Sequence, residues 1–189
     1  MWDKKSSPKP KENPSRWHEP VDNPQITIWT QSGRNDPSNA VFGAKRPNGH
    51  YHQGVDLFCT EGSNVYACLD GIVESITDSP KGQGQTIVLK ITDKEQINYF
   101  RQRRRDYNPT YDGEKKQGEG FDENSNHIYL VYYHLSYILV KKGSVYAGQI
   151  IGYSGISGIK DGTCGPHLHF EIRSERICGC LLYTSDAAD

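Results

Sequence analysis

The sequence predicts an all-β domain in which antiparallel sheets form a sandwich or open barrel. Three observations lead there. Apolar runs of strand length recur, with Gly, Pro and Asp turns between them. No stretch keeps a 3.6-residue apolar period long enough for a helix of more than about two turns. The run from Ile128 to Leu135 is apolar on both faces, as a central strand covered on each side must be. With 189 residues, one domain is expected, large enough to bury a core without disulfides.

Taken in chain order, residues 1–24 are rich in Lys and Pro and read as a flexible, solvated tail or linker. The domain is expected over 25–176. Ile26 to Thr30 alternates with period two. Val65 to Cys68 reads as a strand, and Asp70-Gly71 behind it is a hairpin signal. Ile72 to Ile76 and Thr86 to Ile91 flank a turn at Pro80 to Gly84. Residues 93–126 are a polar interruption too long for a hairpin loop, carrying Arg101, Arg103, Arg104 and Arg105. It reads as an insertion before the His134 strand, a solvated loop or a basic rim for an acidic substrate. Gln149 to Tyr153 and His167 to Ile172 complete the strands. Residues 177–189 are expected to be non-native, because 180–189 resemble a translated sequencing adaptor.

Composition excludes several function classes. A net charge of −1 argues against nucleic acid as the partner. No apolar run is long enough to span a bilayer, and no signal peptide is visible at the start. Five cysteines include no CxxC pair, so a cysteine-type structural zinc site is not expected. Cys59, Cys68 and Cys164 read as small buried residues, with at most one bridge among them.

Chemistry concentrates in three segments: His52-Gln53-Gly54-Val55-Asp56, His134, and His167-Leu168-His169. Together they offer four imidazoles and a carboxylate, enough for a mononuclear zinc site with three protein ligands and an open position. In a strand, residues i and i+2 share a face, so His167 and His169 would point together while Leu168, Phe170 and Ile172 face the core. Gly54 lets the backbone bend or pass close to a neighbour, so that His52 and Asp56 converge. Taken singly, each segment has a plainer reading as satisfied structural histidines; their joint occurrence favours a site. His50 reads as a rim residue, and His18 and His127 as solvated.

These segments resemble the lysostaphin-type (LytM-like) zinc endopeptidases of bacterial cell walls. The likeness spans about 40–173 and includes Phe42-Gly43, His52 to Leu57, Gly62 to Val73, Tyr133 to Ser136, Gly143 to Gly152, Tyr153 to Gly155 and Gly165 to Glu171. The resemblance implies a fold of the duplicated hybrid motif type, one zinc ion held by His52, Asp56 and His169, and catalytic roles for His134 and His167. Either of these two is allowed as the base. It further implies hydrolysis of peptidoglycan stem or cross-link peptides by a metal-activated water, in the periplasm or outside the cell, by a monomer. Two alternatives are a silent family member that binds or activates, and a two-His-one-carboxylate iron enzyme. The presence of all five residues disfavours the first. The HxxxD spacing and the additional His134 disfavour the second.

Overall fold

The computed structural model describes residues 17–31, 34–36, 38–42, 44, 52–98, 124–160, 164–174 and 180–181. Within them the chain is all-β, as expected. Its strands are β1 (Trp29–Gln31), β2 (Arg34–Asp36), β3 (Val55–Phe58), β4 (Asn64–Tyr66), β5 (Gly71–Ser79), β6 (Gly84–Ile91), β7 (Ile128–Ile138), β8 (Gly143–Val145), β9 (Ile150–Ser154), β10 (His167–Arg173) and β11 (Cys180–Leu181). Helical structure is confined to a 3-10 turn at Ser38–Ala40 and one turn at 94–98 among the described residues. β1 and β2 pair with each other, and the remaining nine strands form one sheet in which all pairings are antiparallel.

Strand β7 organises that sheet. Ile128, Leu130 and Tyr132 enter the main core beside Leu89 and Phe170, while Tyr129, Val131 and Tyr133 join Val88 in a second cluster on the opposite face. Both faces are covered, and this is why the run is apolar throughout. Full burial of a side chain such as Phe170 contributes about 1.5–3 kcal/mol relative to leaving it in water.

The alternation breaks at His134. Ile87 faces Tyr132 and Gln85 faces Leu135, so Tyr133 and His134 both fall opposite Thr86. That two-against-one arrangement is a β-bulge, which bends a strand and re-aims a side chain. His134 takes a left-handed backbone (φ 61), and Leu135 returns to the core in its place. Beyond the bulge, β7 pairs with β9, and β9 pairs with β4. The sheet thereby folds over itself and encloses Val65 and Ile151 with Leu57, Leu168 and Phe170.

Three local expectations change. Asp70-Gly71 does not join a hairpin: β4 pairs with β9, whereas β5 pairs with β6 and β8. The Asp70 carboxylate instead accepts from the Ala147 backbone N–H at 2.9 Å, tying the start of β5 to the turn after β8. Residues 17–24, expected within the tail, lie against the domain. His18 N–H donates to the Cys68 carbonyl, Val21 is buried and bridges to Val65, and Trp17 meets Phe170 edge-on. His18 is therefore half-buried, with its ring 4.8 Å from that of Tyr66. Residues 1–16, the arginines of the insertion, His50 and Cys178 lie outside the described residues, and β11 pairs Cys180 and Leu181 with Arg173 and Ile172. Cys59 and Cys68 are buried free thiols, and Cys164 is half-buried.

Candidate metal centre

Strand β10 alternates as its sequence demands. Leu168, Phe170 and Ile172 sit in the main core, so His167, His169, Glu171 and Arg173 share the other face. Antiparallel pairing sets Asp56 of β3 directly opposite His169, with Tyr133 of β7 opposite on the other side. Directly opposed residues project to the same face within reach of each other. His52 arrives on the segment leading into β3. Gly54 lets that segment pass over β10: a Cβ there would lie 2.3 Å from the Phe170 carbonyl oxygen, 2.6 Å from Glu171 Cγ and 2.9 Å from His169 Nε2. His134 reaches the same place from the β7 bulge, its ring 4.8 Å from that of His167 and 6.1 Å from that of His169. All five residues singled out in the sequence are thus gathered.

Each imidazole is fixed by a partner on the side away from the centre. His52 Nδ1 donates to the Val41 carbonyl at 3.0 Å, His134 Nδ1 to the Ser157 carbonyl at 3.0 Å, and His167 Nδ1 to the Gly165 carbonyl at 3.0 Å. A carbonyl only accepts, so in each ring Nδ1 carries a proton and Nε2 faces the centre. In His169 the order is reversed. Its Nε2 donates to Glu171 Oε1 at 2.7 Å, leaving Nδ1 toward Asp56. Four nitrogens and a carboxylate are therefore aimed inward.

That arrangement crowds ionisable groups together in a buried place. His52 Nε2 lies 2.9 Å from His169 Nδ1 and 3.1 Å from Asp56 Oδ1, and His169 Nδ1 lies 2.8 Å from the same oxygen. His167 Nε2 is 3.6 Å from it. Burial opposes the charge on His169, but hydrogen bonds to Asp56 and Glu171, with their negative charges, raise its pKa to about 9. Burial likewise opposes ionisation of Asp56, yet hydrogen bonds from His169 and His52 hold it well below the usual carboxylate range. His134 moves the other way: burial, then the neighbouring His167, lower it to about 4. It is neutral near pH 7.

His52, Asp56 and His169 suit a divalent metal. Their donor atoms lie within 4.8 Å of one another, and two imidazoles with a carboxylate are a donor set that zinc accepts. Tetrahedral bonds of ~2.0–2.1 Å place donors about 3.3 Å apart, so the 2.8–3.1 Å spacings need only small outward shifts. An open groove runs past the centre, lined by Ile26, Phe58, Gln83 and Lys160 as well as by His134 and His167. Two site neighbours were not singled out in the sequence: Glu171 and Arg173. Their signal was present, since the i+2 alternation that pairs His167 with His169 continues through both.

Comparison with known proteins follows the same lines. Residues 121–178, which include His134, His167 and His169, match the model of "Peptidase family M23". No curated protein matches by sequence. Among solved structures, the chain is similar to a zinc containing peptidase from Vibrio cholerae, with 26% identity and TM-score 0.51 over 83% of this chain and 36% of that one. It is similar in fold to the antimicrobial peptidase lysostaphin from Staphylococcus simulans, with 24% identity and TM-score 0.55 over 89% of this chain and 51% of that one. The chain therefore spans about a third and about a half of these two relatives' lengths. Sequence likeness to peptidase family M23 thus covers residues 121–178, and the β domain built around that segment has the lysostaphin fold.

Proposed function

We propose that this chain is a zinc-dependent endopeptidase that hydrolyses peptide cross-links or stem peptides of bacterial peptidoglycan, in the cell envelope. The observation that carries this reading is the inward aim of four imidazole nitrogens beside an ionised Asp56 at the floor of a groove. The M23 match and the zinc containing peptidase among the similar structures support both the metal and the reaction class.

In this reading His52 Nε2, Asp56 and His169 Nδ1 hold one zinc ion. When bound there, zinc polarises the scissile carbonyl and lowers the pKa of water toward ~7. Everything else falls to the chain's own groups. The groove binds an extended peptide, with Phe58 and Ile26 giving it apolar contact. His134 is neutral, with a bare Nε2 in the groove wall, and takes the proton from the attacking water. His167, its Nε2 near Asp56, in its doubly protonated form donates from Nε2 to the carbonyl oxygen on which negative charge grows, an interaction of ~3–4 kcal/mol per well-placed donor. The left-handed backbone at His134 is the kind of strain that accumulates at functional sites.

The test is digestion of purified peptidoglycan of several chemotypes, with mass spectrometry of released peptides, alongside metal analysis. Native protein is expected to carry about one zinc per chain and to release peptides, with activity abolished by a chelator and restored by zinc. His169→Ala is expected to lose the metal. His167→Ala is expected to keep it while turnover drops ~10²-fold or more. Full activity in His167→Ala, or iron in place of zinc, sinks the assignment.

A further inference from the structure

The zinc reading leaves unexplained why a glutamate and an arginine are buried behind His169, on a sheet face where Val88 and Val131 pack as apolar residues. Stability is a poor account of them, since a buried ion pair is often no better than apolar residues of the same volume. Their contacts point elsewhere. Glu171 Oε1 accepts from His169 Nε2 at 2.7 Å, and its other oxygen accepts from both Nε and Nη2 of Arg173. Arg173 Nη2 also donates to the Tyr133 hydroxyl at 2.8 Å. The Tyr133 ring lies 5.2 Å from the His169 ring, and the guanidinium carbon sits 5.9 Å from the Tyr133 centroid. The four residues close a circuit around one imidazole, and Gly54 provides the space for it: a Cβ at 54 would collide with both Glu171 and His169.

We infer that Glu171, braced by Arg173 and Tyr133, is a positioning residue that keeps His169 protonated on Nε2 and turned so that Nδ1, the nitrogen that would bind the ion, faces Asp56 and His52. An imidazole without such a partner divides between two tautomers and several ring orientations, and one tautomer presents an N–H to the ion. A carboxylate behind the ring selects the tautomer and raises the basicity of the facing nitrogen, and losing such a partner typically weakens metal binding 10–100-fold. The two bonds from Arg173 prevent Glu171 from rotating away, and Tyr133 fixes Arg173 in turn. The inference rests on His169 being a zinc ligand, as proposed above.

Competition against a chromophoric chelator measures zinc affinity directly, without reference to turnover. Native chain, Glu171→Gln and Tyr133→Phe are compared at a temperature where far-UV circular dichroism shows each metal-free form folded. A purely structural role would change the metal-free melting temperature and leave the affinity of the folded protein unmoved. Glu171→Gln is expected to bind zinc 10–100-fold more weakly, and Tyr133→Phe, which keeps the ring and loses only the brace, a few-fold more weakly. Should Glu171→Gln fail to fold, Tyr133→Phe decides alone. Native affinity in whichever variant folds overturns the inference and spares the zinc reading. Failure of the native chain to bind zinc removes the zinc reading itself.

Discussion

At the residue scale, His134 departs furthest from what its sequence position suggests. A histidine ending an apolar strand reads equally well as structural, and period-two alternation would have sent it into the core with Tyr132. The bulge and the φ of 61 turn it to the site instead. A bulge carries no residue signature here: both members, Tyr133 and His134, are ordinary strand residues, so the departure was not legible. The consequence is measurable. His134 has a pKa of about 4 in the fold, against 6.5 for the free side chain. Between those values the unfolded chain binds more protons, so this contribution is fully present above pH 6.5 and is lost as pH falls toward 4, on the order of 3 kcal/mol in all. Asparagine tolerates the left-handed backbone, so His134→Asn is the appropriate comparison. Urea unfolding of chelated protein is expected to show the native chain losing about 2 kcal/mol more than His134→Asn between pH 7 and 4.5. Parallel losses would mean that His134 titrates normally.

At the element scale, the five site residues depend on two kinds of support with different legibility. The alternation His-Leu-His-Phe-Glu-Ile made β10 readable, and with it the shared face of His167 and His169; pairing with β3 then followed from neither composition nor period. The support of His134 was readable only in part. The turn at 80–84 and the glycine-rich run at 152–158 stand out as turns, yet their contact lies some 75 residues apart in sequence and shows only in three dimensions. Gly82 N–H donates to the Gly158 carbonyl at 2.7 Å, Gln85 N–H to Ser157 Oγ at 2.8 Å, and His134 N–H to the Gln83 carbonyl at 3.1 Å. Gly158 has φ +73, and a Cβ on it would lie 2.3 Å from Gly84 N, so the interlock admits no side chain. Gly158→Ala must therefore combine left-handed strain with a backbone collision, together about 2–4 kcal/mol of stability. His134 loses its anchors while His52, Asp56 and His169, on β3, β10 and the segment before β3, keep theirs. The expected result is a lower melting temperature and at least ~10-fold slower turnover with zinc content intact. Loss of zinc along with activity would show that the loops support the whole centre instead.

At the scale of the whole molecule, the proposed ion would tie together parts of the chain more than 100 residues apart, from His52 to His169. The unfolded chain has no such site, so zinc is expected to stabilise the fold by mass action, about 2.7 kcal/mol at a free concentration 100 times the dissociation constant and ~1.4 kcal/mol more for each further tenfold. For a domain of this size, 2–4 °C per kcal/mol turns the first figure into a rise of roughly 5–11 °C. The main core does not depend on it: Leu57, Leu89, Tyr132 and Phe170 are buried beneath the site, and the sheet closes through β9 and β4 without crossing the centre. Chelated protein should therefore remain folded and merely melt earlier, unlike small zinc domains that unfold without metal. His52→Ala is expected to melt at one temperature whatever the zinc concentration, because it lacks a third ligand. Scanning calorimetry across a zinc-buffer series checks both expectations. A native chain whose melting temperature ignores zinc would remove the ion from the centre.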